Sequence, residues 1–292
     1  MRSTWQVVLG VHRHDVRLDG VKSVQLNLSS VPDFERTVDS INPDLIVHTA
    51  GMTHVDTCES DRVGAFKANA YTAAIVALVA KQKSIRLIHV STDHLFDGAV
   101  PFCTELTEPK PLNAYATSKQ AAEMLVKERC PEALILRTNF FCWGSVYRQS
   151  FSDWIINGLI AGTELQMFDD VFFTPILADE LIGFAHGLNE IGSSGIFNVV
   201  GTRRISKYDF GVELAQSLGL PAGRIQPGKV ASAHLRAARP KDMSLSNGRL
   251  IQALGRSPGD LQRWFEQLRL QELQGRRREL LHAVVRRGPE HD

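Results

Sequence analysis

Along the first half of the chain, short apolar runs alternate with longer segments of helical period. WQVVLGV, DFERTVDSI, DLIVHTA, VGAFKANAYTAAIVALVAKQ and RLIHVST follow one another in that order, which predicts β-α-β-α-β. The runs over 44–50 and 85–92 are apolar without strict alternation, as strands buried on both faces of a parallel sheet should be. TSKQAAEMLVKERC then reads as a helix and ALILRT as another buried strand. This alternation predicts an α/β fold with a doubly wound parallel sheet. Such sheets bind ligands beyond the carboxyl ends of their strands.

Past Asn139 the rhythm loosens. FSDWIINGLIAG is helical in period, LQMFDDVFF strand-like, LADELIGFAHGLNE helical and GIFNVVG a further strand. The expected division is a dinucleotide-binding unit over 1–139 and 177–201, with a smaller C-terminal substrate cap over 140–176 and 202–265. A basic tail, 266–292, closes the chain. Leu261, Trp264, Phe265 and Leu268 fall at helical spacing ahead of QGRRRELLHAVVRR. A docked helix with a solvated end accounts for this stretch without invoking nucleic acid or acidic lipid.

Chemistry concentrates in RLIHVSTDHLFDG and PLNAYATSKQAAE. The strand ends at Ser91-Thr92-Asp93, and Tyr115 and Lys119 lie four apart at the start of the next helix, on one face of it. A phenol has a pKa of about 10, so exchanging protons near neutrality calls for nearby positive charge. Lys119 and an oxidised nicotinamide ring could supply it, making Tyr115 the general acid-base and Thr92 a donor to the same oxygen. Tyr-x-x-x-Lys alone is also what an amphipathic surface pair looks like. Thr92, closing a central strand on the ligand edge of the sheet, sets this pair apart.

Composition narrows the partners. With 43% hydrophobic and 22% charged residues and a formal net charge of +1, the chain is ordinary for a globular protein and has no global field to attract nucleic acid or an anionic membrane. Cys58, Cys103, Cys130 and Cys142 form no C-x-x-C pair, which fits a reducing cytoplasm better than a disulfide framework. The first fifteen residues have no long apolar run, so neither a secretory signal nor a membrane span is expected. His12 with His14, and His48 with His54, raise a metal site; no carboxylate or cysteine completes a set at ligand spacing, and none is expected.

NPDLIVHTAGMTHVDTCESD, KANAYTA, STDHLFDG, YATSK, LRTNFF, FDDVFFTPI, SKYDFGVELAQSLG and ARPKDMSLSNGRLIQALG occur in this order. In these stretches the chain resembles the extended short-chain dehydrogenase/reductases of the dTDP-4-dehydrorhamnose reductase type, over most of residues 5–256. The resemblance implies a Rossmann-like fold and NADPH-dependent reduction of the 4-keto group of a nucleotide-linked deoxysugar. It makes Thr92, Tyr115 and Lys119 the catalytic triad with Asp93 beside the substrate, and Lys119 a ligand of the nicotinamide ribose. Ala50 and Gly51 match the turn under the cofactor and Asn69 the asparagine that braces neighbouring strands. Asn27 and Leu28 stand where the family has an acidic and an apolar residue around the adenine. Arg13, after the strand QVVLGV, suits a 2′-phosphate, which favours NADPH over NADH. Arg239, with Lys241, could meet a diphosphate, and Asn139, Trp143 and Phe173 could line a nucleotide pocket. A homodimer is the assembly allowed for.

One feature of that family is missing from the sequence. Such reductases begin with a strand, a G-x-x-G-x-x-G turn and a helix that together hold the cofactor pyrophosphate, whereas here the family's second strand starts near Gln6. IGSSGIFNVVG precedes a strand instead of following one and reads as a turn. In the usual 3-2-1-4-5-6 order the first strand is central, so its loss should leave a gap or force strands two and four together, at a cost in stability. A misplaced start, a fragment and a degenerate relative are the three explanations. Retention of Thr92, Tyr115 and Lys119 together favours the first. Two other functions stay open: a non-catalytic regulatory subunit, similar to the methionine adenosyltransferase beta subunit, and a sugar-nucleotide epimerase or dehydratase. A dehydratase usually needs a Thr-Asp-Glu arrangement, and here His94 follows Thr92-Asp93.

Overall fold

The structure, a computed structural model, describes residues 5–12, 14–283 and 286–287. Strands β1 (Val8–Val11) and β2 (Lys22–Gln25) pair in parallel, Val8 opposite Lys22 and Val11 opposite Gln25. Helix α1 (Val31–Ile41) follows. Ser30 caps it by accepting the Asp33 amide, a proline sits in its first turn, and Asn42 ends it in the left-handed region at φ 48°. Its Phe34 and Val38 turn inward.

Strand β3 (Leu45–His48) leads through short helices over 55–66 and a π-helical turn at Lys67–Tyr71 into helix α2 (Thr72–Gln82). Then come β4 (Arg86–Val90), α3 (Ala114–Arg129) and β5 (Leu134–Arg137). Helices α4 (Phe151–Ile160) and α5 (Ala178–Glu190), strand β6 (Gly195–Asn198), and helices α6 (Lys207–Ser217) and α7 (Leu261–Leu273) complete the main elements. A parallel sheet of order β6-β5-β4-β3 forms the centre, with Leu45 opposite Arg86, Ile88 opposite Leu134 and Leu134 opposite Gly195. The α/β class with a parallel sheet is as the hydrophobic pattern predicts.

Among the described residues, no ladder joins β1-β2 to this sheet. Of the two expected consequences, a gap or a direct pairing, the structure takes the gap. Leu9, Gly10 and Val11 on one side and Val47 on the other line a common cavity, and Val47 is 52% exposed. The pair is held by helices instead of by strand pairing: Phe34 and Val38 of α1 share a core with Ala73, Val76, Ala77 and Ala80 of α2, and Leu26, Leu28 and Ile46 pack against it. The stretch Arg62–Gln82 is long and apolar enough to cross a membrane. Its run from Ala73 to Ala77 is buried between neighbouring elements of this core, which explains that composition.

The remaining strands are short pairs. Ile176–Leu177 runs parallel to Phe140–Phe141, Ile225–Gly228 parallel to Leu165–Phe168, and Ile205–Ser206 antiparallel to Phe172–Phe173. An aromatic cluster fills the space below them: Phe210 meets Phe141, Phe173 and Phe265 edge-on at centroid distances of 5.2, 5.4 and 5.4 Å. Leu261, Trp264, Phe265 and Leu268 of α7 are all buried there. The docked helix is therefore real, and it continues past the 265/266 boundary at which the basic tail was expected to begin.

Candidate active site

Every buried strand of the central sheet ends toward one side, and the catalytic candidates collect there. Thr92 and Asp93 follow β4, 4% and 1% exposed. The Thr92 hydroxyl accepts the His94 amide at 3.2 Å and donates to the Asp93 carboxylate at 3.3 Å. Asn139, just after β5, donates its amide to the other Asp93 oxygen. Asp93 is thereby fixed from two strands.

Helix α3 brings Tyr115 and Lys119 to the same place. Asn113 caps it, accepting the Ala116 amide at 2.9 Å and donating to the Ala238 carbonyl at 2.8 Å, so the start of the helix is tied to the distant 237–240 segment. Burial pushes the Tyr115 phenol up to about 12, against the pull of a hydrogen bond with Thr92 and, more weakly, the charge of Arg148. His94 stands edge-on to the Tyr115 ring at 5.6 Å. Lys119 is tied by its ammonium to the Val90 carbonyl at 2.8 Å, with His89 Nε2 at 3.5 Å. Burial brings it down to about 8, with Glu123 one turn further opposing.

Behind Lys119 lies a pair that sequence reasoning missed. His48 and His89 are opposite residues on β3 and β4, with Nδ1 atoms 2.9 Å apart and rings stacked at 5.0 Å. Burial and the Lys119 charge hold His48 near 3 and His89 well below the ordinary histidine range, so both are neutral. Their register is a property of the sheet, and only parallel pairing of DLIVH with RLIH could have revealed it.

The turn after β3 is built on Asn69. Its side chain accepts the Met52 amide at 2.7 Å and donates to the Met52 carbonyl at 2.9 Å and the Ser118 hydroxyl at 2.8 Å, which in turn donates to the Tyr115 carbonyl at 2.7 Å. The π-helical turn is what swings Asn69 out of the regular helix into this position. Gly51 is required by close approach: a Cβ there would lie 2.5 Å from Asn69 Oδ1. One asparagine thus couples the end of β3 to α3.

These groups share one cavity of about 2270 Å³, larger than the ~300–1,000 Å³ usual for a single small ligand. Asn27, Leu28, Ala50, Gly51, Asn69, Thr92, Asp93, Tyr115, Lys119, Asn139 and Arg239 all line it. Two expected pocket residues do not. Trp143 is 4% exposed in the hydrophobic core, donating its indole N–H to the Leu268 carbonyl at 3.0 Å, and Phe173, 1% exposed, belongs to the aromatic cluster. Both serve packing: the Trp143 indole meets α7 and the Phe173 ring packs edge-on against Phe210 of α6. Arg239 reaches the cavity already paired with Asp56 at 2.9 Å. Arg13 lies outside the described residues. Among the described residues no cluster of three histidine, cysteine or carboxylate side chains could hold a metal.

The RmlD substrate-binding domain model matches residues 4–271. The chain belongs to this family. Among its curated relatives, the probable low-salt glycan biosynthesis reductase Agl14 of Haloferax volcanii is 32% identical over 245 residues, 81% of each chain. A dTDP-4-dehydrorhamnose reductase of Escherichia coli is 32% identical over 195 residues, 63% of this chain and 64% of that one. In fold, the chain matches the crystal structure of a Bacillus anthracis dTDP-4-dehydrorhamnose reductase in complex with NADP, with a TM-score of 0.82, 22% identity, and 91% of this chain and all of that one covered. The RmlD family thus includes sugar-nucleotide reductases, and the site described above lies within the matched residues.

Proposed function

We propose that this member of the family reduces the 4-keto group of a nucleotide-linked deoxysugar with NADPH, NADH being the second choice. The observation that carries the reading is the convergence of Thr92, Tyr115 and Lys119 on one cavity at the carboxyl edge of the parallel sheet. The described residues fit the two ends of a dinucleotide site. Asn27 and Leu28 line the end near β2, while Gly51, free of a Cβ, and Lys119 line the end near the reacting centre. A reduced nicotinamide supplies hydride when bound.

The chain's own side chains supply the proton and the orientation. A Tyr115 phenol near 12 is fully protonated at neutral pH, so it is ready to protonate the alkoxide that forms as the ketone is reduced. Thr92 orients the carbonyl oxygen, and Asp93, held by Asn139, faces the sugar. Lys119 holds the cofactor ribose and keeps positive charge beside the reacting centre below about pH 8. Arg239 and Asn139 contribute to the nucleotide-sugar side.

Tyr115→Phe tests this reading. Turnover of a dTDP-4-keto-6-deoxyhexose with NADPH should fall about 10²–10⁴-fold, while NADPH affinity changes little. Unchanged turnover in the variant refutes the assignment; NADPH binding with no turnover in the parent chain would favour a non-catalytic role.

A further inference from the structure

Lys207 is among the cationic side chains that line the cavity and that the reaction above does not use. Lys207 opens α6 directly after Ser206, whose hydroxyl caps the helix by accepting the Asp209 amide at 2.9 Å. Its ammonium lies 3.4 Å from the centre of the Phe173 ring and 4.6 Å from that of Phe151. It lines the same cavity as Thr92, Asp93 and Tyr115. Among the described residues no carboxylate lies within ion-pair distance of it and no acceptor takes a hydrogen bond from it.

Several other cations around the cavity are differently placed, Arg148 donating to the Thr53 hydroxyl. Arg239 is neutralised by Asp56, Arg62 pairs with Glu59, and Lys119 is tied to the Val90 carbonyl. Lys207 is half-buried, and an ammonium drawn partly out of water favours a counter-charge or gives up its proton. Burial draws Lys207 down to about 8, the field of Asp93 opposing, so at neutral pH it remains charged. Two aromatic faces compensate in part.

The location selects the end of the ligand it meets. Its charge bears on Asp93 and on His94, the residue standing against the Tyr115 ring, so it sits beside the sugar instead of at the far nucleoside. We propose that Lys207 is a specificity-determining residue that takes an oxyanion of the bound sugar nucleotide next to the reacting ring, an inference that rests on the nucleotide-sugar reading. Two sources carry that chemistry: the phosphate attached to the anomeric carbon, which a deoxysugar nucleotide supplies, and a carboxylate on the ring, which would make the sugar a uronate.

Calorimetric titration of dTDP, dTDP-glucose and dTDP-glucuronate into the parent chain and Lys207→Met separates them without relying on turnover. Methionine keeps an apolar stem between Phe151 and Phe173 and removes the charge. A loss of about tenfold or more for all three ligands supports the proposal and assigns the phosphate. A loss confined to dTDP-glucuronate supports it and assigns the carboxylate. Equal affinities in parent and variant for every ligand overturn it while leaving the reductase reading intact. Failure of the parent chain to bind any of the three overturns the nucleotide-sugar reading and this inference with it. Lys207→Gln provides the same comparison should the methionine variant not fold.

Discussion

Glu123→Gln perturbs stability and catalysis through one side chain. Tyr115, Lys119 and Glu123 follow at i, i+4 and i+8 on one face of α3. Glu123 accepts from Arg137 Nε at 3.0 and 3.2 Å and from Nη2 at 2.8 Å, with the two side chains 6% and 3% exposed. The remaining Arg137 nitrogen, Nη1, is buried without a partner, and Phe96 lies 5.5 Å under the guanidinium. No second carboxylate pairs with it among the described residues. Removing the Glu123 charge therefore leaves a desolvated cation, at a cost of about 3–5 kcal/mol. For a chain of this size that lowers the melting temperature by about 5–8 °C.

The same substitution should move the pH profile. Lys119 is charged below about 8 and loses its proton as the pH rises through that value, and Glu123 is the group holding it up against burial. Without that carboxylate, Lys119 deprotonates at lower pH, so the alkaline fall in kcat/KM shifts to lower pH. Urea denaturation followed by circular dichroism, with turnover measured from pH 6 to 9.5, checks both arms. Glu123→Leu combined with Arg137→Met should recover most of the stability, since a buried pair replaced by apolar groups is often neutral or better. A loss below about 1 kcal/mol in the single variant, or an unmoved alkaline limb, would refute the reasoning.

Two further outcomes follow from the turn and the histidine pair. Gly51→Ala puts a Cβ 2.5 Å from Asn69 Oδ1 and should displace it from the Met52 amide, costing about 1–3 kcal/mol and weakening NADPH binding in a fluorescence titration. His48, held near 3 against an ordinary value of 6.5, contributes stability that is whole above pH 6.5 and is lost as the pH falls toward 3. His48→Gln should flatten urea midpoints between pH 7 and 4.

What the sequence revealed and what it withheld separate along physical lines. Buried parallel strands carry their own signature, so DLIVHTA, RLIHVST and ALILRT were legible, as was the i, i+4 spacing of Tyr115 and Lys119. Contacts that depend on strand register or on distant segments were not. The His48–His89 pair needs β3 and β4 in register, and the tie from Asn113 to Ala238 spans 125 residues. Trp143 and Phe173 misled for a related reason: an aromatic in a cap segment has the same local signature whether it faces a ligand or the core. Lys207 left no signal either, since a lysine after a capping serine is an ordinary helix start.

The electrostatics of the site have a direction. Burial raises the Tyr115 phenol to about 12 and lowers Lys119 to about 8, and the two shifts act together. A base of pKa about 12 is scarcely available at pH 7, where ionising the phenol would cost about 7 kcal/mol, so abstraction of a proton from an alcohol is disfavoured in the chain by itself. Donation carries no such cost, because the proton is already in place. Reduction is thus the direction for which these groups stand prepared, and the reverse reaction would need positive charge brought in with the oxidised nicotinamide. A rate of ketone reduction that stays level from pH 6 to about 7.5, beside a rate of alcohol oxidation that climbs through the same range, would show this asymmetry. Parallel profiles would show that bound cofactor resets the Tyr115 pKa and would refute this asymmetry.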